Sequence, residues 1–271
     1  MKRTTGLATT IYVLAVALAV SLPILYAIVG AFRPSSALHG GVSELLPTSF
    51  TLDNFERALE RAPLFRQMGN TVLVTIAQTT LQVGTGVLAA YALTFGRVPF
   101  ARVIFGFFLV TMMIPGETII IANYMTIQTL GLYDTLIAVF LPYGAAAYTI
   151  FLLRQSFASF PVELQEAAAL DGVGPIGFLF RFLIPLNAPT IMAAALTSAI
   201  AAWNGYMWPL LITDSPTNRT VQAGVAQLAD SVGPDIGAVL AGTTLVSVPT
   251  ILLILIGQRS LRSGLTQGAL K

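Results

Sequence analysis

The segment from Ser159 to Pro189 reads S-F-P-V-E-L-Q-E-A-A-A-L-D-G-V-G-P-I-G-F-L-F-R-F-L-I-P-L-N-A-P. It carries four charged residues between two long apolar runs, in a chain of which 55% is hydrophobic and 10% charged. Such a segment is costly in hydrocarbon, where polar groups lack partners. The stretch is therefore predicted to lie in water or against another protein.

Within this stretch the sequence predicts a helix, a glycine elbow and a second helix. Pro161 suits the first position of a helix, and residues 162–170 are mostly good helix formers. Gly172 can adopt the left-handed conformation that ends helices without a steric penalty. Pro175 is expected to open the second helix, and Pro185 to end it by removing a backbone donor.

The first of these helices presents acidic and small residues side by side. Glu163 and Glu166 lie three positions apart and share one face. Leu164, Ala167 and Ala168 form a small, flat surface beside them. This surface is expected to lie close against a partner protein.

The composition places the chain among membrane proteins. Its mean hydropathy is +0.80, and it contains no cysteine and one histidine, His39. Disulfides and thiol-ligated metals are therefore excluded, and a histidine cluster for metal or triad chemistry is absent. We expect no cofactor and no metal on this chain.

Six apolar segments are each long enough to cross a bilayer, which takes about 20 helical residues. The predicted spans are 7–32, 67–95, one that begins at 103 and breaks near 115–117, 135–153, 189–212 and 235–257. The first is interpreted as an uncleaved anchor, because its apolar run exceeds that of a signal peptide. The prediction is an all-α, polytopic membrane protein with one transmembrane domain over 1–271, a loop at about 154–188 and a flexible tail at about 258–271.

The shorter connections are also assigned from the sequence. A short helix is expected over 51–57, capped by Thr51 or Asp53, and a polar connection with helical tendency over 123–133. Residues 213–234 are predicted to form a loop on the side opposite the termini.

Charge distribution predicts the orientation in the membrane. Nine Lys and Arg residues lie on the side of the termini and of the 154–188 loop, against five on the other side. Because cytoplasmic segments are enriched in Lys and Arg, both termini and this loop are expected in the cytoplasm.

Three motifs, in order along the chain, resemble those of one family. Glu166-Ala167-Ala168, followed by Gly172 and then Ile184-Pro185, resembles the "EAA" cytoplasmic loop of binding-protein-dependent ABC importer permeases. The segment 203–209, W-N-G-Y-M-W-P, is similar to one in the carbohydrate-uptake branch, and 263–269, S-G-L-T-Q-G-A, is similar to the ending of maltose and glycerol-3-phosphate importer permeases. Motif matches are hypotheses that the structural context must support.

One departure from the family pattern is visible, because Phe182 and Ile184 stand where the loop usually has isoleucine and leucine. Both residues are apolar, so the resemblance is little affected. It implies a subunit of a bacterial plasma-membrane importer that pairs with a second permease, two ATPase subunits and an extracytoplasmic solute-binding protein, and carries a sugar or related polyol. No nucleic acid is implied.

The resemblance also implies which residues contact the ATPase subunits. The loop contacts would come from Glu163, Glu166, Ala167, Ala168, Asp171 and Gly172, and the tail contacts from Gly264, Thr266 and Gln267. ATP and Mg²⁺ would bind the partner ATPases. The chain has two lysines, Lys2 and Lys271, and neither lies in the glycine-rich loop of a nucleotide site.

Polar residues inside the spans indicate the substrate path, since they need protein or water around them. The predicted residues are Glu117, Asn123, Tyr124, Trp203, Asn204, Tyr206 and Trp208. Aromatic rings beside amides suit sugars. The alternatives are an interfacial aromatic belt and an asparagine that joins helices. Because the predicted spans contain no Lys or Arg, a neutral saccharide is favoured over a phosphate ester.

Two other function classes stay open from the residues alone. An ion-gradient-driven secondary transporter or channel would use Glu117 as a proton carrier, and an inverted internal repeat would support it, but the sequence has none that we detect. An intramembrane enzyme would need an acid, a base and a nucleophile, for which the sequence offers no credible set.

Overall fold

The computed structural model describes residues 6–35, 38, 49–230 and 235–267. The described residues are helical and contain no strand, which confirms the all-α prediction. Two compact units are present, one of Met1–Arg66 with Ala223–Val248 and one of Gln67–Gln222 with Pro249–Lys271. Lys2, Arg3, His39 and Lys271 lie outside the described residues.

Fourteen α-helical segments are found in the described residues. In chain order they are α1 (Leu7–Ala31), α2 (Asp53–Arg61), α3 (Leu64–Phe95), α4 (Ala101–Thr111), α5 (Ile120–Thr129), α6 (Leu136–Phe140), α7 (Ala147–Ala158), α8 (Val162–Leu170), α9 (Pro175–Phe178), α10 (Ile184–Leu186), α11 (Ala188–Trp203), α12 (Met207–Ile212), α13 (Val221–Asp230) and α14 (Ile236–Gln267). Short 3₁₀ turns cover Gly116–Ile119 and Leu141–Tyr143, and a π-turn covers Leu179–Leu183.

Three helical stretches are long and apolar enough to cross a membrane singly, namely Thr9–Ala31, Leu64–Phe95 and Ile236–Leu255. Three bent helix pairs pass the same test, so the described residues supply up to six spans. On α1, Tyr12 and Val20 are 70% and 69% exposed. Such exposed apolar surface is unfavourable in water and is expected in a helix that contacts lipid. The first predicted span, 7–32, matches α1 to within one residue.

The predicted break in the third span is confirmed. Helix α4 ends at Thr111, Pro115 takes an extended conformation, and the segment Gly116–Thr129 leaves at 93° to α4. Proline disfavours helix in the residue before it and removes a donor, which explains the break. The predicted span 135–153 is instead a pair, α6 and α7, bent by 45° and ending at Ala158.

The span predicted over 189–212 is interrupted in the structure. Helix α11 ends at Trp203, and α12 begins only at Met207. The Asn204 side-chain amide donates to the Ile200 carbonyl at 2.8 Å, and the same carbonyl accepts the Asn204 backbone N–H at 3.1 Å. The next N–H, that of Gly205, donates to the Ala202 carbonyl three residues earlier at 3.3 Å, so α11 ends in a tighter turn.

Pro185 was expected to end the second helix of the 159–189 stretch, but the helical path continues to Leu186. A proline crowds the carbonyl four residues before it, here that of Arg181. Arg181 lies in the wider π-turn Leu179–Leu183, so the proline is accommodated. The bend comes at Asn187, where this segment and α11 meet at 78°.

Two predicted connections are more helical than expected. The predicted loop 213–234 contains α13, and the last helix does not stop at Gly257 but continues through Gln267. The predicted flexible tail is thus helical as far as the structure describes it. Gly264, Thr266 and Gln267 lie in α14, and residues 268–271 lie outside the described residues.

In the first unit, a polar cluster joins α2 to the end of α1 and the start of α14. Asn54 is fully buried and donates to the carbonyls of Ala31 and Arg33 at 2.8 and 2.6 Å. The Arg57 Nε donates to Asp235 at 2.8 Å. Burial acts to raise the pKa of Asp235, but hydrogen bonds from Arg57 and the Ala238 N–H outweigh it and hold the pKa below its usual value.

Candidate functional site

The predicted hairpin is confirmed at its first helix. Helix α8 covers Val162–Leu170, the range expected from the sequence. Gly172 takes φ +73°, in the left-handed region, and the Val173 N–H donates to the Ala168 carbonyl at 2.9 Å. This is the hydrogen-bond pattern of a glycine-terminated helix, so the elbow follows from local chemistry. The predicted loop 154–188 begins within α7, which extends to Ala158.

The acidic face of α8 is open. Glu163, Glu166 and Asp171 are exposed, and none has an ion pair among the described residues. Leu170, at the end of α8, is 88% exposed, and Ile176 beyond the elbow is 74% exposed. Apolar side chains beside unpaired carboxylates in a non-spanning helix indicate a surface for another protein.

One side of α8 is fixed to the protein core. Ala168 is 3% exposed and packs in a cluster with Val87, Phe157 and Phe178, so its side chain points inward and not towards a partner. The Phe178 ring meets Phe95 and Phe160 edge-on, at centroid distances of 5.5 and 5.6 Å. The hairpin is thereby packed against α3 and α7.

Two polar contacts strengthen this attachment. The Tyr91 hydroxyl on α3 donates to the Pro175 carbonyl at 2.8 Å. The Ser156 hydroxyl on α7 donates to the Asn187 side-chain oxygen at 2.6 Å, and the Asn187 amide donates to the Leu183 carbonyl at 2.8 Å. The hairpin is therefore attached to α3 near its elbow and to α7 at its end. Asn187 was not among the predicted site residues, although an asparagine at the start of an apolar segment was a signal in the sequence.

A cavity of 340 Å³ lies in the second unit, among α3, α6, α11 and α12. Its polar lining comes from Gln78, Gln82, Glu117, Tyr143 and Tyr206, and its apolar wall includes Val74, Val139 and Trp208. Among the residues that the structure describes, the lining contains no Lys or Arg. The space is of the size of a small-ligand site with hydrogen-bonding groups and aromatic faces.

The predicted substrate-path residues divide into two groups. Glu117, Tyr206 and Trp208 line this cavity. The other four do not line it, and they are Asn123, Tyr124, Trp203 and Asn204. Asn204 lies directly after the last residue of α11, and its side-chain amide donates to the Ile200 carbonyl. The Tyr124 hydroxyl accepts a hydrogen bond from the Gln128 side-chain amide at 2.9 Å.

Two glutamines of the cavity were not among the predicted substrate-path residues. Gln78 and Gln82 lie one turn apart on α3 and are 8% and 7% exposed. The Gln82 amide donates to the Tyr143 carbonyl at 2.7 Å, whereas the Gln78 amide has no hydrogen-bond partner among the described residues. Their polarity inside a predicted span was the available signal.

Trp208 has a structural task as well as a place in the cavity wall. Its indole N–H lies 3.1 Å from both the Ala138 and the Val139 carbonyls. These carbonyls belong to α6, close to its break, where helix ends leave acceptors open. The ring meets Tyr143 edge-on at 6.2 Å. Trp208 thus joins α12 to α6.

Polar side chains at the start of α3 hold the segment that follows α12. The Gln67 amide donates to the Pro216 carbonyl at 3.0 Å, and the Asn70 amide to the Thr217 carbonyl at 2.8 Å. The Thr71 hydroxyl accepts from the Val221 N–H at 2.9 Å. Among the described residues there is no group of three or more His, Cys, Asp or Glu side chains placed to hold a metal ion.

The described residues supply helices for up to six membrane spans. A polar cavity lies in the second unit, and an exposed acidic hairpin packs against helices of that unit. These features together define a membrane transport subunit. Residues 82–265 match the family described as "Binding-protein-dependent transport system inner membrane component". The match spans more than half of the chain, and the chain belongs to this family.

Similar proteins agree with this assignment. The chain is 34% identical over 94% of its length to the probable ABC transporter permease protein YurM of Bacillus subtilis, of which it covers 85%. It is 32% identical, over 92% of the chain and 90% of the relative, to the arabinooligosaccharides transport system permease protein AraQ of Halalkalibacterium halodurans. It is 31% identical, over 92% and 91%, to the sn-glycerol-3-phosphate transport system permease protein UgpE of Brucella suis.

A solved structure has the same fold. It is described as a bacterial ABC transporter involved in the import of the acidic polysaccharide alginate, and it is similar at a TM-score of 0.82. The match covers 96% of this chain and 98% of the other, at 23% sequence identity. The fold class predicted from the sequence is confirmed.

Proposed function

We propose that the chain is a permease subunit of an ATP-driven ABC importer for a sugar or related polyol. It lies in the bacterial plasma membrane with both termini in the cytoplasm, and it works with a second permease subunit, two ATPase subunits and an extracytoplasmic solute-binding protein. The observation that carries this proposal is helix α8, exposed on its acidic face and packed through Ala168 into the core of the helices around the cavity.

Energy enters through the ATPase subunits, which bind ATP and Mg²⁺. Glu166 and Asp171 are exposed and unpaired, so they are available to basic groups on an ATPase, and Leu170 supplies an apolar contact beside them. Closure of the two ATPases moves α8, and the packing of Phe178 carries the movement to α3. The cavity then opens alternately to the two sides of the membrane.

The cavity favours a neutral saccharide. Gln78 and Tyr206 offer hydrogen-bond partners for hydroxyls, and the rings of Tyr143 and Trp208 offer faces for the apolar sides of a sugar. Relatives carry names for arabinooligosaccharides and for glycerol-3-phosphate. A phosphate ester would find no Lys or Arg in the part of the lining that the structure describes, and it would face the Glu117 carboxylate. Like charges at short range in a low-dielectric site repel strongly, so the uncharged substrate is preferred.

The test is uptake of a radiolabelled neutral oligosaccharide into proteoliposomes that contain the complete transporter. We expect uptake to require internal ATP and the binding protein, and to persist when a protonophore collapses the ion gradient. Glu117→Gln distinguishes the alternative, because a proton carrier would lose transport altogether. Uptake that ignores ATP and follows the proton gradient would contradict the proposal.

The orientation has its own test, because the chain contains no cysteine. Single-cysteine variants Glu163→Cys and Pro216→Cys place a thiol at two exposed positions. A membrane-impermeant maleimide is expected to label Pro216→Cys in whole spheroplasts and Glu163→Cys only in inside-out vesicles. The opposite pattern would reverse the proposed topology.

A further inference from the structure

Three arginines of the second unit form a basic patch. Arg97 lies in the turn between α3 and α4, Arg102 lies in the first turn of α4, and Arg154 lies in the last turns of α7. Arg97 and Arg102 are exposed, and Arg154 is partly exposed. None of the three has an ion pair among the described residues. Their charges are therefore available to an anion from another molecule.

Packing of α3, α4 and α7 brings the basic patch together around one aromatic ring. Arg102 and Phe105 lie three positions apart on α4 and share one face. The Arg154 guanidinium lies 4.0 Å from the centroid of the Phe105 ring. Leu93, four positions before Arg97, packs in the same cluster as Phe105. The three helices thus carry the three arginines to the same end of their bundle.

The position of Arg154 is held by aromatic packing. The Phe105 ring beneath its guanidinium stacks on Phe151, with 6.2 Å between the centroids and 11° between the planes. A cation over the face of a ring is attracted by its electrons. Because the guanidinium is held before an anion arrives, less conformational entropy is lost on binding. The forked donors of arginine match the oxygens of a phosphate.

An exposed apolar stripe begins beside the basic patch and follows α4. Val103, Phe107 and Val110 are 70%, 69% and 57% exposed, and their spacing of four and three positions places them on one side of the helix. Helix α4 has 11 residues, which gives a length of about 16 Å, close to half of the roughly 30 Å hydrocarbon core. The chain then turns by 93°. The stripe therefore has the length of one leaflet of the membrane.

Phe100 joins the basic patch to this stripe. It takes φ +57°, a left-handed conformation that is uncommon outside glycine, asparagine and aspartate. Its side chain is 80% exposed, so packing within the chain does little to compensate for this conformation. An exposed phenylalanine next to basic residues is typical of segments that lie in the membrane interface.

The ATPase contact proposed at α8 does not require the basic patch. Phe95 at the end of α3 packs on Phe178 of the hairpin, whereas Leu93 packs on the side of Phe105. Residues two positions apart on a helix point to nearly opposite sides. The hairpin and the basic patch thus lie on different sides of the end of α3.

We propose that the basic patch binds the headgroup of one anionic phospholipid, whose acyl chain lies along the apolar stripe of α4. The proposal rests on the proposed function for its orientation, which places this end of α4 at the cytoplasmic surface. Anionic lipids are enriched in that leaflet, and basic pockets between spanning helices bind their headgroups. The arginines supply the countercharge for the phosphate, and the stripe supplies the apolar contact for one leaflet's length of chain.

The test titrates the complete transporter in detergent with phosphatidylglycerol and counts the retained lipid by native mass spectrometry. Arg102→Gln and Arg154→Gln should each weaken binding roughly fivefold, the effect of one basic residue at an anionic surface. Phe105→Leu keeps an apolar side chain and removes the ring beneath Arg154, and should weaken binding roughly twofold to fivefold. The matched control is Arg181→Gln, which removes the same charge from the exposed hairpin and should leave binding unchanged.

Three further outcomes would overturn the proposal. An equal loss of binding in Arg181→Gln would show that overall charge and not the basic patch attracts the lipid. Displacement of the lipid by inorganic phosphate would assign the patch to a free anion. A photocrosslink from Phe107→benzoylphenylalanine to the second permease subunit, in place of the expected crosslink to lipid, would assign the stripe to a protein. Lipid binding is measured without ATP or sugar, so its failure is distinct from a failure of the proposed function in the uptake assay.

Discussion

The carboxylate of Asp134 accepts two hydrogen bonds from Ser215, one from its backbone N–H at 3.0 Å and one from its hydroxyl, across 81 positions of sequence. It also accepts from the Asp214 N–H at 2.9 Å, and the Asp134 N–H donates to the Ile212 carbonyl at 3.0 Å. Asp134 takes φ +59°, a left-handed conformation that aspartate tolerates better than most residues. The turn after α5 is thereby fastened to the segment after α12.

Removal of the Asp134 carboxylate is predicted to weaken the attachment between the turn after α5 and the segment after α12. Asp134→Ala leaves two N–H donors and a hydroxyl without their acceptor, and should cost about 1–3 kcal/mol of local stability. We expect faster proteolytic cleavage within residues 213–219, measured on the purified transporter. Asp171→Ala is the control, since Asp171 is exposed and without an ion pair among the described residues, and it should leave the cleavage rate unchanged.

The Asp134 carboxylate is also expected to make the stability of the 213–219 segment depend on pH. Burial acts to raise the pKa of Asp134, but hydrogen bonds from Ser215 and from the Asp214 N–H outweigh burial and hold the pKa below its usual value. A lowered folded-state pKa adds stability that is present above the unfolded value, about 3.9, and is lost as the pH falls through the folded value. Protection of residues 213–219 should therefore decline below about pH 4 in the wild type. An equal decline in Asp134→Asn would contradict this assignment.

The elbow of the hairpin supplies the next prediction. Gly172→Val places a branched side chain at φ +73°, at a cost of about 1–2 kcal/mol or more, although no neighbour lies within 4 Å of the added Cβ. We expect the variant to insert normally and to hydrolyse ATP in the assembled transporter while sugar uptake falls at least about tenfold.

The control for this elbow lies two residues away. Gly174 has φ −68° and also has free space around an added Cβ, so Gly174→Val tests bulk without backbone strain. It should keep most of the uptake. Normal uptake in Gly172→Val would count against a coupling role for the elbow.

Leu170 tests the contact with the ATPase. Burial of a leucine side chain contributes about 1.5–3 kcal/mol, so Leu170→Asp should weaken ATPase binding roughly 10- to 100-fold if this 88%-exposed residue is covered in the complex. Binding of the purified ATPase to detergent-solubilised permease measures the change. Leu170→Met keeps an apolar side chain and should retain the affinity. Equal binding by both variants would place the contact elsewhere.

The two glutamines of the cavity are predicted to respond differently. Gln78→Leu removes an amide that has no partner among the described residues, so it should raise the KM for sugar with little effect on thermal stability. Gln82→Leu removes the donor to the Tyr143 carbonyl and should lower the unfolding temperature, since the lost hydrogen bond is worth about 1 kcal/mol or more. A stability loss from Gln78→Leu without a change in KM would exclude it from the substrate site.

Local signals in the sequence were sufficient for several elements. The bounds of α8 follow from Pro161 and Gly172, whose effects on the backbone act within one turn. The break after α4 follows from Pro115 in the same way. The interruption at Asn204 was not predicted, because residues 189–212 were interpreted as one apolar span. Gly205 and the Asn204 side-chain amide, which donates to the Ile200 carbonyl, were not considered as signals of a helix end.

The class of protein, the place of the acidic hairpin in the chain and the helical character of the spans could be predicted from local features, because hydrophobic length and backbone-restricting residues act locally. Which side chains face the core, the cavity or the surface depends on how distant segments pack in the tertiary structure. This packing turned Ala168 inward, separated the open amide of Gln78 from the paired one of Gln82, and left Trp203 outside the cavity that Trp208 lines. Helices that are apolar on all sides carry no periodic signal for their inner face, so only the packing of distant segments could make that choice.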